Sequence, residues 1–198
     1  MISGLVGVLL LTVLPATASG QQSSSSEPAG PSDSYWERFV LGASVSLLAH
    51  ESAHILTSLA LGFHPYIGLD KGRPTVFSGI DSNKYPHDQF LFSAAGLTTQ
   101  VLVDEAILDI PHSRGGAFER GLLAGGIGTT LFYITIGRNG SVSDISVMAR
   151  TSSLSKTQLS LIFGGLSAIH ALRISRDSSY SHFFMRPTQN GATLGVSF

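Results

Sequence analysis

The sequence predicts a mainly α-helical, polytopic membrane protein with about four apolar helices, a β-hairpin after the first and a short C-terminal β-hairpin. Three observations point there. Charged residues are only 13% of the chain, and they cluster between long uncharged stretches. Glycine is frequent, with 22 residues, as in membrane helices that pack backbone to backbone. Apolar runs of roughly spanning length, about 20 residues, recur along the chain. The net charge of −1 and the lack of any basic run argue against nucleic acid as a partner. Cysteine is absent, so disulfides and thiolate metal sites are excluded, and any metal must be held by His and carboxylates.

Residues 1–18 read as a secretory signal peptide. The apolar run Leu5 to Leu14 is followed by Pro15 and an Ala16-Thr17-Ala18 site of the A-x-A type. No basic residue precedes the run, so an uncleaved anchor is the alternative. Residues 19–34, rich in Ser, Pro and Gly, read as a disordered linker that cannot bury apolar surface. A membrane-embedded domain then spans 35–172, and residues 173–198 form a tail.

The first apolar helix is expected from about Tyr35, N-capped by Asp33 or Ser34, to Leu61, with Gly62 as its C-terminal cap. At roughly 40 Å it is long enough to span a bilayer. Two β-prone runs, Tyr66–Leu69 and Thr75–Phe77, flank Asp70-Lys71-Gly72-Arg73 and predict a hairpin. His64 and His87 in this region each neighbour a Pro and read as surface or capping residues. The second apolar helix starts near Gln89, is uncharged to Val103 and then carries Asp104, Glu105 and Asp109. The third is uncharged from Gly121 to Gly137, and its Gly125, Gly126 and Gly128 allow close approach by another helix. A polar segment containing Asp144 leads to the fourth, Thr157 to Leu172, a marginal span at roughly 24 Å. His170 near its end, three residues from Arg173, reads as interfacial, and His112 and His182 fall in polar loops. The tail predicts a hairpin turning at Asn190-Gly191, with Leu194, Val196 and Phe198 on one face.

The chemistry-bearing stretch is His50-Glu51-Ser52-Ala53-His54, inside the first apolar helix. Residues i and i+4 share a helix face, so both imidazoles can reach one zinc ion. Glu51 beside them is placed to take a proton from a water that the metal activates. A structural alternative is a helix whose two His and one Glu only satisfy each other. Several zinc-peptidase groups share the H-E-x-x-H pattern, and the third ligand separates them. Metzincins need Gly at 57 and His at 60, where this chain has Thr57 and Ala60. Glu105-Ala106-Ile107-Leu108-Asp109 resembles the E-x-x-x-D element of the thermolysin group, which makes Glu105 an alternative metal ligand.

From Val40 to about Met148 the order of elements resembles the site-2 protease family of intramembrane zinc metallopeptidases, as a divergent member. The motif helix is followed by a hairpin. Next comes Ala95-Gly96-Leu97-Thr98-Thr99-Gln100, with Gln100 where that family has Asn. Last comes a helix leading to Asp144, followed by Ile145 where that family has Gly and lacking its Pro-rich approach. The resemblance implies zinc held by His50, His54 and Asp144. Helix depth gives an independent count. Measured from the hairpin side, Gly96 and Gln100 lie level with His54 and His50, as residues placed to orient substrate, whereas Glu105 lies roughly 8–14 Å deeper. The structural alternative for Asp144 is an N-cap of a helix starting at Ile145.

These features lead to the expectation of a zinc-dependent intramembrane endopeptidase of the bacterial-type cytoplasmic (inner) membrane, in contact with the lipid bilayer. Glu51 is the catalytic base, Zn2+ the cofactor, and a membrane-anchored protein the substrate. A non-proteolytic membrane protein with a degenerate or structural metal site on the same scaffold is the alternative, and a soluble thermolysin-like peptidase using Glu105 is a third reading. Orientation is not legible, because Lys and Arg divide evenly between the two sides.

Overall fold

The computed structural model describes residues 33–180, 183–188 and 191–196. The signal peptide, nearly all of the linker, His182, Asn190 and Phe198 lie outside the described residues. Those described form five α-helices and two separate two-stranded antiparallel sheets. The fold is mainly helical, and two helices, α1 and α2, are long and apolar enough to cross a membrane.

Helix α1, Asp33–Ala60, starts two residues before the position expected from sequence. It stops where the chain turns left-handed at Gly62 (φ 83°). The Phe63 amide bonds back to the Ser58 carbonyl and the Gly62 amide to that of Leu59, both at 3.0 Å, which closes a Schellman cap. Strands β1, Tyr66–Asp70, and β2, Arg73–Phe77, pair from Tyr66↔Phe77 to Asp70↔Arg73. Lys71 (φ 51°) and Gly72 (φ 81°) form their two-residue turn, and the right-handed strand twist favours left-handed residues there. A buried hydrogen-bond chain ties the exit of this hairpin to the bundle. Ser58 Oγ donates to the Ser78 carbonyl (2.6 Å), Ser78 Oγ to Gln89 Oε1 (2.6 Å), and Gln89 Nε2 to Ser93 Oγ (3.3 Å).

Helix α2, Pro86–Asp109, opens with Pro86 in its first turn, where the missing N–H costs nothing. Helix α3, Ala117–Ile134, lies along α1 in backbone contact. A Cβ at Gly42 would collide with the Phe118 carbonyl oxygen, and one at Gly121 with that of Phe39. Of the glycines expected to allow this approach, Gly125 faces Ala43 and Ser46 of α1, Gly126 faces Asp104 of α2, and Gly128 faces open space. Helix α3 ends three residues earlier than its uncharged run, because a 3-10 turn, Ile136–Asn139, takes over.

Helix α4, Asp144–Arg150, is a short element inside the polar segment, and it begins one residue before the helix start at Ile145 that the N-cap alternative implied. Its buried Ile145 and Met148 join Leu97, Leu159 and Phe163 in one core cluster, and that packing makes the segment helical. Helix α5, Lys156–Arg176, is longer than its apolar run suggested and passes the expected domain edge at residue 172. Ser155 and Gln158 form a capping box at its start. At its other end Arg173 bonds to Glu105 and Asp109 of α2. Asp177 follows as C-cap, accepting from the Ser179 amide and from Arg114, each at 2.8 Å. These bonds, the Ser179 amide foremost, hold its carboxyl below the usual carboxylate range. A second core cluster, Leu108, Leu123, Ile174 and Tyr180, closes that end of the bundle. The tail strands β3, Phe183–Thr188, and β4, Gly191–Val196, pair from Phe183↔Val196 to Thr188↔Gly191. Gly191 therefore belongs to a strand and not to the turn, and each cross-strand partner lies two residues from the one a turn at Asn190-Gly191 would give.

Candidate metal centre

Three elements converge on one point inside the bundle. Helix α1 brings His50 and His54, one turn apart, α4 brings Asp144 from its first position, and α2 supplies the wall between them. Asp144 Oδ2 lies 3.1 Å from His50 Nε2 and 3.4 Å from His54 Nε2, and the two Nε2 atoms are 3.1 Å apart. All three side chains are buried: His50 is 0%, His54 3% and Asp144 5% exposed. They form the one His/carboxylate group among the described residues whose ligand atoms are close enough to share a metal ion.

The other nitrogen of each ring decides what faces the centre. His54 Nδ1 lies 2.6 Å from the Phe92 carbonyl oxygen, which can only accept, so Nδ1 carries the proton. His50 Nδ1 lies 3.2 Å from Gln100 Oε1 and donates in the same way. With both rings neutral, both Nε2 atoms point lone pairs at Asp144, whose Oδ2 is buried with no hydrogen-bond partner. Three lone-pair donors facing one point repel one another unless a cation lies among them. Imidazoles whose far N–H is tied to a carbonyl are the usual form of histidine metal ligands.

The surroundings hold this geometry. The Tyr133 ring stacks on His50 with centroids 5.3 Å apart, and Phe92 flanks His54 at 4.9 Å. Gly96 is needed for space, since a Cβ there would lie 2.5 Å from His50 Nε2 and 2.6 Å from His54 Nε2. Asp144 is not an N-cap: Ser143 holds that position, and Asp144 is the first helical residue. Its placement is fixed on both sides, by Ile145 in the core and by a braced connection. In that connection Ser146 Oγ donates to the Arg138 carbonyl (2.7 Å) and Arg150 to the Ser141 carbonyl (2.8 Å). Glu51, one residue along from His50, is half-buried.

Of the residues singled out from sequence, His50, His54, Asp144, Gly96 and Gln100 come together, with Glu51 beside them. Gln100 spends its carbonyl oxygen on His50 Nδ1. Glu105 does not join the two histidines. It bonds to His170 Nε2 at 3.0 Å and to Arg173, so the ligand set built on it does not form. His170 is the residue the sequence reading misplaced. Far from interfacial, it is 0% exposed, with Nδ1 3.4 Å from Asp104 Oδ2 and Nε2 on Glu105. The signal lay in matching stripes, with Asp104, Glu105 and Asp109 on α2 opposite His170 and Arg173 on α5.

No protein-family model matches this chain, and no curated protein or solved structure is detectably similar to it.

Proposed function

We propose that the protein is a zinc-dependent intramembrane endopeptidase. The observation that carries this reading is the converging triangle of His50 Nε2, His54 Nε2 and Asp144 Oδ2 with Glu51 at its side. Its edges of 3.1, 3.1 and 3.4 Å suit one face of a tetrahedron. Zinc bonds of about 2.0 Å to N and O give ligand separations of about 3.3 Å. A two-His, one-carboxylate set also leaves the fourth position for water or substrate, as catalytic zinc sites do. Zinc there would polarise the attacking water and the scissile carbonyl. Glu51 accepts the water's proton and delivers it to the leaving amine. His50, His54 and Asp144 hold the centre, while Tyr133 and Phe92 keep bulk water from it.

The membrane part of the reading rests on an inverted distribution of polarity. Serines 46, 58, 93 and 167, Gln100, Asp104 and Thr130 are buried, whereas Leu41, Leu48 and Leu56 of α1, Leu102 of α2, and Leu161 and Ile169 of α5 are exposed. An apolar outer belt of this extent around a polar interior suits lipid as the solvent. The proposed setting is a bacterial-type inner membrane, with α3 and α5 completing a four-helix embedded bundle and a membrane-anchored protein as substrate. The full burial of all three ligands favours a second reading, a closed structural metal site in a non-proteolytic protein.

One experiment separates the two. Purified protein, reconstituted in vesicles with single-span apolar-helix peptides, is assayed for zinc content and for cleavage by mass spectrometry. The peptidase reading expects one zinc per chain, cleavage by the wild type, and Glu51→Gln that keeps its zinc and loses cleavage at least a hundredfold. Unchanged cleavage in Glu51→Gln sinks the mechanism. A zinc-loaded wild type that cleaves none of the peptides supports the structural site.

A further inference from the structure

Next to the ligand triad, the bundle interior carries a second polar group. His170 of α5 lies between two neighbouring carboxylates of α2, with Nδ1 toward Asp104 and Nε2 toward Glu105, and Arg173 links Glu105 to Asp109. The two carboxylates meet opposite nitrogens of one ring, so this group cannot gather its donors around a single ion and is not a second metal site. It continues toward the first site instead. Asp104 and Gln100 are four residues apart and both 2% exposed, which places them one turn apart on the buried face of α2. Gln100 Nε2 and Asp104 Oδ1 are both buried without a hydrogen-bond partner. A donor and an acceptor about 6 Å apart at their Cβ atoms, in a polar interior, are what one buried water bridges.

The amide orientation of Gln100 has a chemical consequence. With Oε1 toward His50 Nδ1, the ring proton sits on Nδ1 and the Nε2 lone pair faces His54 and Asp144. With the amide reversed, its NH2 would donate to Nδ1 and push the ring proton onto Nε2, into the space a metal would occupy. His54 does not depend on such a choice, because its acceptor is the backbone carbonyl of Phe92. Gly126 packs directly on Asp104, where a Cβ would lie 2.8 Å from Oδ1, so the carboxylate is confined to this place.

We propose that Gln100 is a positioning residue that fixes the tautomer and orientation of His50, and that Asp104, one turn along α2, fixes the Gln100 amide. This rests on the metal reading above and assigns Gln100 to the ligand and not to the substrate. The resulting path runs from Asp104 through Gln100 to His50. It supports the one ligand whose far nitrogen is held by a side chain.

The test is metal binding without substrate. Purified wild type, stripped of metal, is titrated with Zn2+ and with Co2+, whose visible absorption reports ligand geometry. Gln100→Met keeps the length and volume of the side chain and removes the amide. It is expected to weaken binding about 10- to 100-fold, the range for losing such a support, and to shift the cobalt bands. Gln100→Glu keeps an acceptor on Nδ1 and makes it anionic, so it is expected to bind more tightly than wild type and to shift the cobalt bands. Asp104→Leu weakens binding in the wild-type background but adds nothing in the Gln100→Met background, because the two act through one path. Wild-type affinity and spectrum in Gln100→Met, together with a changed KM for peptide, would overturn the positioning role. An Asp104→Leu effect that persists in Gln100→Met would overturn the link to Asp104. Should Gln100→Met not fold, Gln100→Glu decides alone: tighter binding with shifted bands supports the proposal, unaltered or weaker binding overturns it. Wild type that binds neither metal refutes the metal reading itself and is a separate result.

Discussion

At Gly96 the site tolerates no side chain at all. An added methyl group would sit 2.5 Å from His50 Nε2, and both rings are held from behind, by Gln100 and by the Phe92 carbonyl, so neither can retreat freely. Gly96→Ala is therefore expected to cost about 1–3 kcal/mol in stability, as overpacking of a tight interior does. It should also lower metal occupancy well below one ion per chain. Thermal unfolding and elemental analysis of the same preparation measure the two effects. Normal metal content with normal stability would show that the histidines have more room to move than these distances allow. This residue and the two histidines were legible because their spacing carries the information: His54 follows His50 by four positions, which puts them on one helix face, and a depth count put Gly96 and Gln100 level with them. His170 was not legible in the same way. Its partners lie on a different helix, and nothing within α5 distinguishes a histidine facing two carboxylates from one facing an interface.

Among the elements, α4 has the largest effect for its size. Seven residues place Asp144 over the histidines, and they hold there because Ile145 and Met148, both 0% exposed, are embedded between α2 and α5. The Ile145 position, where the resembling family has Gly, thus has a physical reason: the carboxylate is placed by an anchor in the core. Ile145→Ala would leave a cavity next to the ligand and cost about 2–4 kcal/mol. It is also expected to weaken zinc binding several-fold with all three ligands intact, measurable by competition with a chromogenic chelator. A variant destabilised to this extent with unchanged zinc affinity would mean that Asp144 is positioned by the preceding connection alone. The sequence showed α1, α2 and the first hairpin clearly, since apolar runs, Gly62 and the Lys71-Gly72 turn are local signals. It offered a helix starting at Ile145 only as an alternative, because the helicity of α4 comes from tertiary packing, and it did not show the full reach of α5, whose last turn is held by Arg173 bonding across to Glu105 and Asp109.

For the whole molecule, the arrangement of polar and apolar surface makes a claim about the solvent that a chemical probe can check. Val40, Leu48 and Leu56 of α1 are 59, 63 and 65% exposed, whereas a helix core in water would turn such residues inward. Under the membrane reading they face lipid, while the turn of the first hairpin, with exposed Lys71, lies in water or at the interface. The chain contains no cysteine, so a single introduced thiol reports its own surroundings without background. Alkylation needs the thiolate, which forms in water and not in hydrocarbon. In intact membranes Lys71→Cys is expected to react with N-ethylmaleimide within minutes. Leu48→Cys and Leu56→Cys should react at least tenfold more slowly, reaching the same rate only after denaturation. The reagent crosses bilayers, so the outcome does not depend on which way the chain is inserted. Equal rates at all three positions in intact membranes would place α1 in water and make the belt a protein-covered face. The His50, His54 and Asp144 cluster would then belong to a soluble bundle, and the proposed peptidase would not be intramembrane even if zinc and Glu51 had the proposed roles.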